Sequence, residues 1–217
     1  MQCCADGDAP SPLPPLPPMP ASDPERVLAD TRRWLERAVI GLNLCPFAKA
    51  VHVKRQIRYV VSAAETVQAL REELAAELRL LAEADPREID TTLLIHPAVL
   101  QDFLDYNDFL GEADDLVAGL ELEGVLQVAS FHPRYRFAGT GEDDIENHTN
   151  RSPYPILHLL REESIERAVA AFPDPEAIYD ENMRTLRRLG LDGWRRLMSA
   201  QESAEEGAQE GKDGPEA

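Results

Sequence analysis

Little in this sequence suits a membrane, an oxidising compartment or nucleic acid. No apolar run approaches the ~20 residues that a bilayer-spanning helix needs. The first twenty residues lack a basic segment followed by an apolar core, so no secretory signal is read there. Only three cysteines occur in 217 residues: Cys3, Cys4 and Cys45. They make no disulfide framework and suit a reducing cytoplasm. Basic residues are scarce: 22 Lys and Arg stand against 40 Asp and Glu, for a formal charge of −18 and a pI of about 4.6. Residues 199–217 hold six acidic side chains and one basic, and residues 1–22 hold two acidic ones, which leaves −11 on residues 23–198. A body this acidic, with no basic stripe, repels phosphate backbones and argues against nucleic acid as a partner. A small anion stays open, because a local arginine pocket can oppose the overall field. No HExxH, CxxC or H-x-D spacing announces a metal site, and no pattern names a cofactor. Gly139-Thr140-Gly141 lacks the Lys-Ser/Thr ending of a phosphate loop.

What is present is ordinary globular composition, 43% hydrophobic and 29% charged, at a length that suits one domain with a real core. Seven prolines between residues 10 and 20 make residues 1–21 an extended leader. Residues 199–217, rich in Glu, Gly and Ala, read as a disordered tail. A single α/β domain is expected over residues 22–198.

Within it, Ser22, Asp23, Pro24 and Glu25 form a capping box. Val27, Thr31, Trp34, Leu35, Ala38 and Val39 follow at helical spacing, predicting a helix over 24–41. A strand is expected over 57–61, then a helix capped by Ser62 with Leu70, Leu74, Leu78 and Leu81 on its apolar face. A second strand over 91–96, a third helix bearing Phe103, Phe109 and Leu116, and a third strand over 125–131 complete the pattern. Helices of this length between strands make right-handed crossovers. The expected architecture is therefore a small, mainly parallel sheet of three or four strands with helices on both faces. Ile156, Leu157, Leu159 and Leu160 are spaced i, i+1, i+3, i+4, which favours a helix opened by Ser152 and Pro153 over a fourth strand. Asp174, Pro175 and Glu176 open a last long helix that stops at Gly190, and a short closing helix spans 192–198.

The connection over 131–155 is longer than the ~12–15 residues that compact domains usually leave without structure unless the loop is functional. It leaves the third strand at His132-Pro133, and the second strand ends alike at His96-Pro97. In open parallel sheets, ligands bind beyond the carboxyl ends of the strands. Both histidines are thus candidates for that rim, with a structural role as the alternative. Asn150, Arg151 and Ser152, before an expected helix start, are candidates for an anion clamp with Tyr135 beside them. The alternative makes Ser152 only a cap and Arg151 only an ion-pair partner. Cys45 precedes Pro46, with Lys49 and His52 close in sequence. A thiol at a helix N-cap beside a cation is depressed in pKa and reactive; a buried structural cysteine is the other reading.

The segments GLNLCPFA, LLIHP, DFLDYNDFL, QVASFHPRYRF and TNRSPYPILHLLRE together resemble an uncharacterised bacterial family built around a domain of unknown function. The resemblance covers residues 23–198. It implies one domain and carries no activity, ligand or catalytic residue with it.

Three functions follow from the residues. The first is a cytoplasmic hydrolase or transferase acting on a small anionic metabolite. In it Cys45 is the nucleophile, His132 the acid–base group, Asn147 or Asp144 its orienter, and His96, Tyr135, Asn150, Arg151 and Ser152 hold substrate. The second is a metal-dependent enzyme using His96, His132 and His148 with Asp143 or Asp144. The third is a non-catalytic binding protein whose long loop recognises a partner.

Overall fold

The computed structural model describes residues 23–170 and 177–199. The expected leader, the tail after Ser199, Ser22 and the Asp174-Pro175-Glu176 helix start lie outside them. The first helix, α1 (Pro24–Trp34), starts where expected: Asp23 is the cap, its carboxylate accepting the Glu25 N–H at 3.1 Å, with Pro24 in the first turn. The helix then widens into a π-helical stretch, Leu35–Ile40. After it come α2 (Ala48–Val53), β1 (Ile57–Val61), α3 (Val67–Glu83), β2 (Thr91–Ile95), α4 (Phe103–Gly119) and β3 (Leu126–Phe131). A 3₁₀ turn at Ile145–Thr149 breaks the long loop before β4 (Ile156–Arg161), α5 (Glu162–Ala170) and α6 (Ala177–Ser199). Thr66, not Ser62, caps α3, its hydroxyl accepting the Ala69 N–H at 3.2 Å. Gly190, at φ 66°, interrupts the helical geometry of α6 ahead of its last turns.

The four strands lie in the order β1-β2-β4-β3. Pairing is parallel between β1 and β2 and antiparallel between β2 and β4 and between β3 and β4. The α/β class and the two helical layers agree with expectation, but the sheet is mixed, not mainly parallel. The cause lies in the last connection. The β1–α3–β2 unit crosses over through a helix, whereas the 132–155 loop carries only a 3₁₀ turn and returns the chain antiparallel, wedging β4 between β2 and β3.

The segment expected to be a helix at 156–160 is that central strand. Its apolar spacing is equally the signature of a strand covered on both faces. Leu157 and Leu159 join Leu94 and Leu126 under α3 and α4, while Ile156 joins Leu93 and Ile95 under α1 and the π-helix. On this second face the Trp34 indole meets Phe131 edge-on at 5.2 Å.

Candidate functional site

The long loop is built from its own polar groups. Asn147 is fully buried: its Oδ1 accepts the Phe137 N–H at 3.0 Å and the Thr140 hydroxyl at 2.8 Å, and its Nδ2 donates to the Gly141 carbonyl at 2.7 Å. The Asp144 carboxylate accepts the Gly141 N–H at 2.8 Å. Arg151 donates to the carbonyls of Tyr135 at 3.1 Å and Glu142 at 2.6 Å, and Asn150 to Ser130 at 3.1 Å. Ser152 donates to the Tyr154 carbonyl at 2.5 Å, and the Tyr135 ring lies between Phe103 and Phe137. Asn147, Asp144, Arg151, Asn150 and Ser152 thus bond to backbone groups of the loop and its strand, which closes the loop.

The two His-Pro strand ends do meet, on the α4 side of the sheet. His96 stacks on Tyr106 at 5.8 Å and His132 packs against the same ring at 5.0 Å. The Arg134 N–H donates to Nδ1 of His132 at 3.0 Å, so the ring proton sits on Nε2, which faces the Leu100 carbonyl at 3.2 Å. Both nitrogens are engaged, and neither is left to shuttle a proton. His96 donates from Nδ1 to the Val99 carbonyl at 2.9 Å, and its buried Nε2 has no partner among the described residues. Desolvation first, with His132 nearby as a smaller cause, holds the His96 pKa down to about 4. His148 is separate again, edge-on to Trp194 at 4.7 Å. Among the described residues no group of three or more His, Cys, Asp or Glu is placed to hold a metal ion.

Cys45 lies on the opposite face of the sheet, packed against the α1 and π-helix cluster. The π-helix places it: Gly41 N–H reaches back to Glu36 at 3.0 Å, and the Val39 carbonyl then receives the N–H groups of Leu44 at 2.9 Å and Cys45 at 3.4 Å. Burial pushes the thiol pKa up, against smaller lowering contributions from the Phe47 and Ala48 backbone. The structure therefore brings Cys45 neither to His132 nor to a depressed pKa.

Cys45 instead lines a cavity of about 970 Å³ between the sheet and the helices of that face. Its walls include Trp34, Leu35, Val39, Phe131 and Ile165, and at the sheet floor stand Thr91 and His158. The cavity reaches the starts of β1 and β2 and the end of β4, the edge away from the rim expected to hold the site. The volume falls at the upper end of the ~300–1,000 Å³ usual for ligand pockets, and apolar walls with a few polar groups are their usual chemistry.

His158 is the polar group best placed to act. The Thr91 hydroxyl has one proton and gives it to the Leu159 carbonyl at 2.7 Å. The 2.7 Å contact between Thr91 Oγ1 and His158 Nε2 is then donated by the imidazole, which leaves Nδ1 as the unprotonated nitrogen. No hydrogen bond occupies Nδ1 among the described residues. Desolvation keeps this ring neutral, with a pKa of about 4. Sequence reasoning missed it because 156–160 read as a helix. In a strand, Ile156, His158 and Leu160 share one face, and a lone imidazole there between two apolar neighbours is the signal.

The family model that matches this chain is described as Protein of unknown function (DUF1415) and covers residues 26–196. No curated protein and no solved structure matches.

Proposed function

The chain belongs to the DUF1415 family, whose description assigns no activity, and from its own geometry we propose a small-molecule enzyme working in the β-sheet cavity. Cys45 is the nucleophile and His158, in place of His132, the acid–base group. One observation carries this reading: thiol and imidazole line the same cavity, and Thr91 holds the imidazole in a single tautomer with its basic nitrogen unoccupied. A nucleophile, a base and an orienter are what acyl transfer by a weak nucleophile requires.

Burial keeps the thiol protonated and the imidazole unprotonated near neutral pH, so the thiolate forms in the reacting complex. The Cys45 sulfur bonds to an acyl carbon as its proton passes to Nδ1 of His158. The imidazolium returns that proton to the departing oxygen or sulfur as its bond to carbon breaks. Water or a second acceptor then releases the acyl group and restores the thiol. The substrate is a small organic anion.

The test is alkylation of Cys45 by iodoacetamide, followed by peptide mass mapping to separate it from Cys3 and Cys4. His158→Gln slows the reaction at least about a hundredfold, the low end of what a positioned base contributes, while His132→Gln leaves it unchanged. An unaltered rate in His158→Gln, with the melting temperature retained, refutes the assignment.

The raised thiol pKa favours a second reading, a non-catalytic binder using the same cavity. In that case Cys45→Ser keeps every ligand-induced melting shift, and the wild-type protein turns over none of the ligands it binds.

A further inference from the structure

We propose that the open edge of β1 pairs with the same strand of a second copy, joining two four-stranded sheets across a two-fold axis at Tyr59.

Alternate residues of an edge strand turn their backbone groups towards the neighbouring strand and away from it. The Gln56 carbonyl accepts the Asp90 N–H at 2.9 Å, and the Ser62 N–H donates to the Ile95 carbonyl at 2.7 Å, one bond at each end of β1. Even-numbered residues therefore face β2, and Ile57, Tyr59 and Val61 present their N–H and C=O groups at the outer edge. Among the described residues no group bonds to them there. The opposite edge of the sheet is partly closed. On β3 the Ser130 carbonyl accepts from Asn150 at 3.1 Å, and the Leu126 N–H turns back to Leu122 at 2.9 Å.

β1 also lacks the devices that keep an edge strand solitary. It carries no proline or lysine, and its register with β2 is unbroken over all five residues. Its one charge, Arg58, is turned onto the α3 face and answered by Glu77 through two bonds of 2.8 and 2.9 Å.

A two-fold at Tyr59 matches all three outward residues at once. It opposes Tyr59 with its own copy and Ile57 with Val61, each pair exchanging both backbone bonds in an antiparallel ladder. Arg58 then stands opposite Val60, so like charges do not meet. The charges beside the strand are self-complementary. The Arg32 guanidinium lies 5.1 Å over the Tyr59 ring, and no carboxylate is paired with it among the described residues. Glu36, four residues on, acts on the same phenol, and its carboxylate meets only the His52 imidazole, at 3.7 Å, among the described residues. Both side chains are exposed. The two-fold carries the Arg32 of each copy towards the Glu36 of the other, the exchange of an isologous contact.

The experiment is light scattering on the full chain after gel filtration, from micromolar to millimolar concentration at physiological salt. A mass twice the 24.2 kDa of one chain is expected at the upper end. Tyr59→Pro gives single chains that are folded by circular dichroism, because proline there removes only an outward N–H, which an edge strand tolerates. Arg32→Glu raises the dissociation constant at least about fivefold, the worth of two exposed ion pairs, and adding Glu36→Arg restores it. Where Tyr59→Pro does not fold, this charge exchange decides. A wild-type mass of one chain throughout overturns the proposal and leaves the edge to a strand from another protein. A dimer whose affinity the charge exchange leaves unaltered overturns it too, since the contact then lies elsewhere on the molecule.

Discussion

His132 and His158 are both imidazoles on or just beyond β-strands, and what separates them is where their nitrogens go. Backbone groups take both nitrogens of His132, while a threonine takes only one of His158. The hydroxyl of Thr91 is the deciding atom, since it is already committed as a donor to Leu159. Thr91→Val keeps the shape and deletes that acceptor. Ring ¹⁵N spectra of His158, which report an Nε2-protonated tautomer in the wild type, then show a mixture. The lost hydrogen bonds lower stability by about 1 kcal/mol in urea titration. A wild-type ring already in mixed tautomers refutes the orientation assigned to it.

Among the elements, the π-helix does the positioning that an ordinary helical turn would not. Its i→i−5 bond from Gly41 to Glu36 shifts the chain so that Leu44 and Cys45 both hang from the Val39 carbonyl. Gly41 has an ordinary helical φ of −64°, so the need for glycine there is one of space: an added Cβ would stand 2.2 Å from the Arg37 carbonyl oxygen. Gly41→Ala therefore lowers stability by about 1–3 kcal/mol, the range for forced overpacking. Its local signature is faster hydrogen exchange at the Leu44 and Cys45 amides, read by NMR or mass spectrometry. Exchange as slow as in the wild type shows that the π-turn does not hold the cysteine loop.

At the scale of the molecule, acid is the condition to which this fold is most exposed. No described helix is long and apolar enough to cross a membrane, and the core is divided between the two faces of one sheet. Three imidazoles, His96, His148 and His158, are held at about pKa 4, chiefly by desolvation. The unfolded chain takes up these protons near ~6.5. As pH falls from 6.5 to 4, protonation thus favours the unfolded state. The stability present above 6.5 is lost, by about 3 kcal/mol for the fully buried His96 if its whole shift is realised. Urea midpoints measured across this range fall steeply in the wild type, and His96→Gln flattens the fall. A midpoint constant from pH 7 to 4.5 contradicts the buried neutral state.

Local chemistry settled much of this protein before any packing was known. Proline and acidic side chains mark the helix start at Pro24, because capping involves residues adjacent in the chain. Periodicity identifies α3 and α4, because each presents one apolar stripe. The unusual length of the 131–155 connection was legible too. What that loop does was not: Asn147, Asp144, Asn150 and Arg151 look like ligand groups in one dimension, and only folding shows their partners to be carbonyls and amides of the same loop and its strand. Strand and helix read alike at 156–160, since an element covered on both faces loses its period, and pairing with both β2 and β3 decided it. The same decision turned His158 towards the cavity that Cys45 lines. Their meeting spans more than a hundred residues of chain, a separation that no local pattern records and that the sheet order alone brings about.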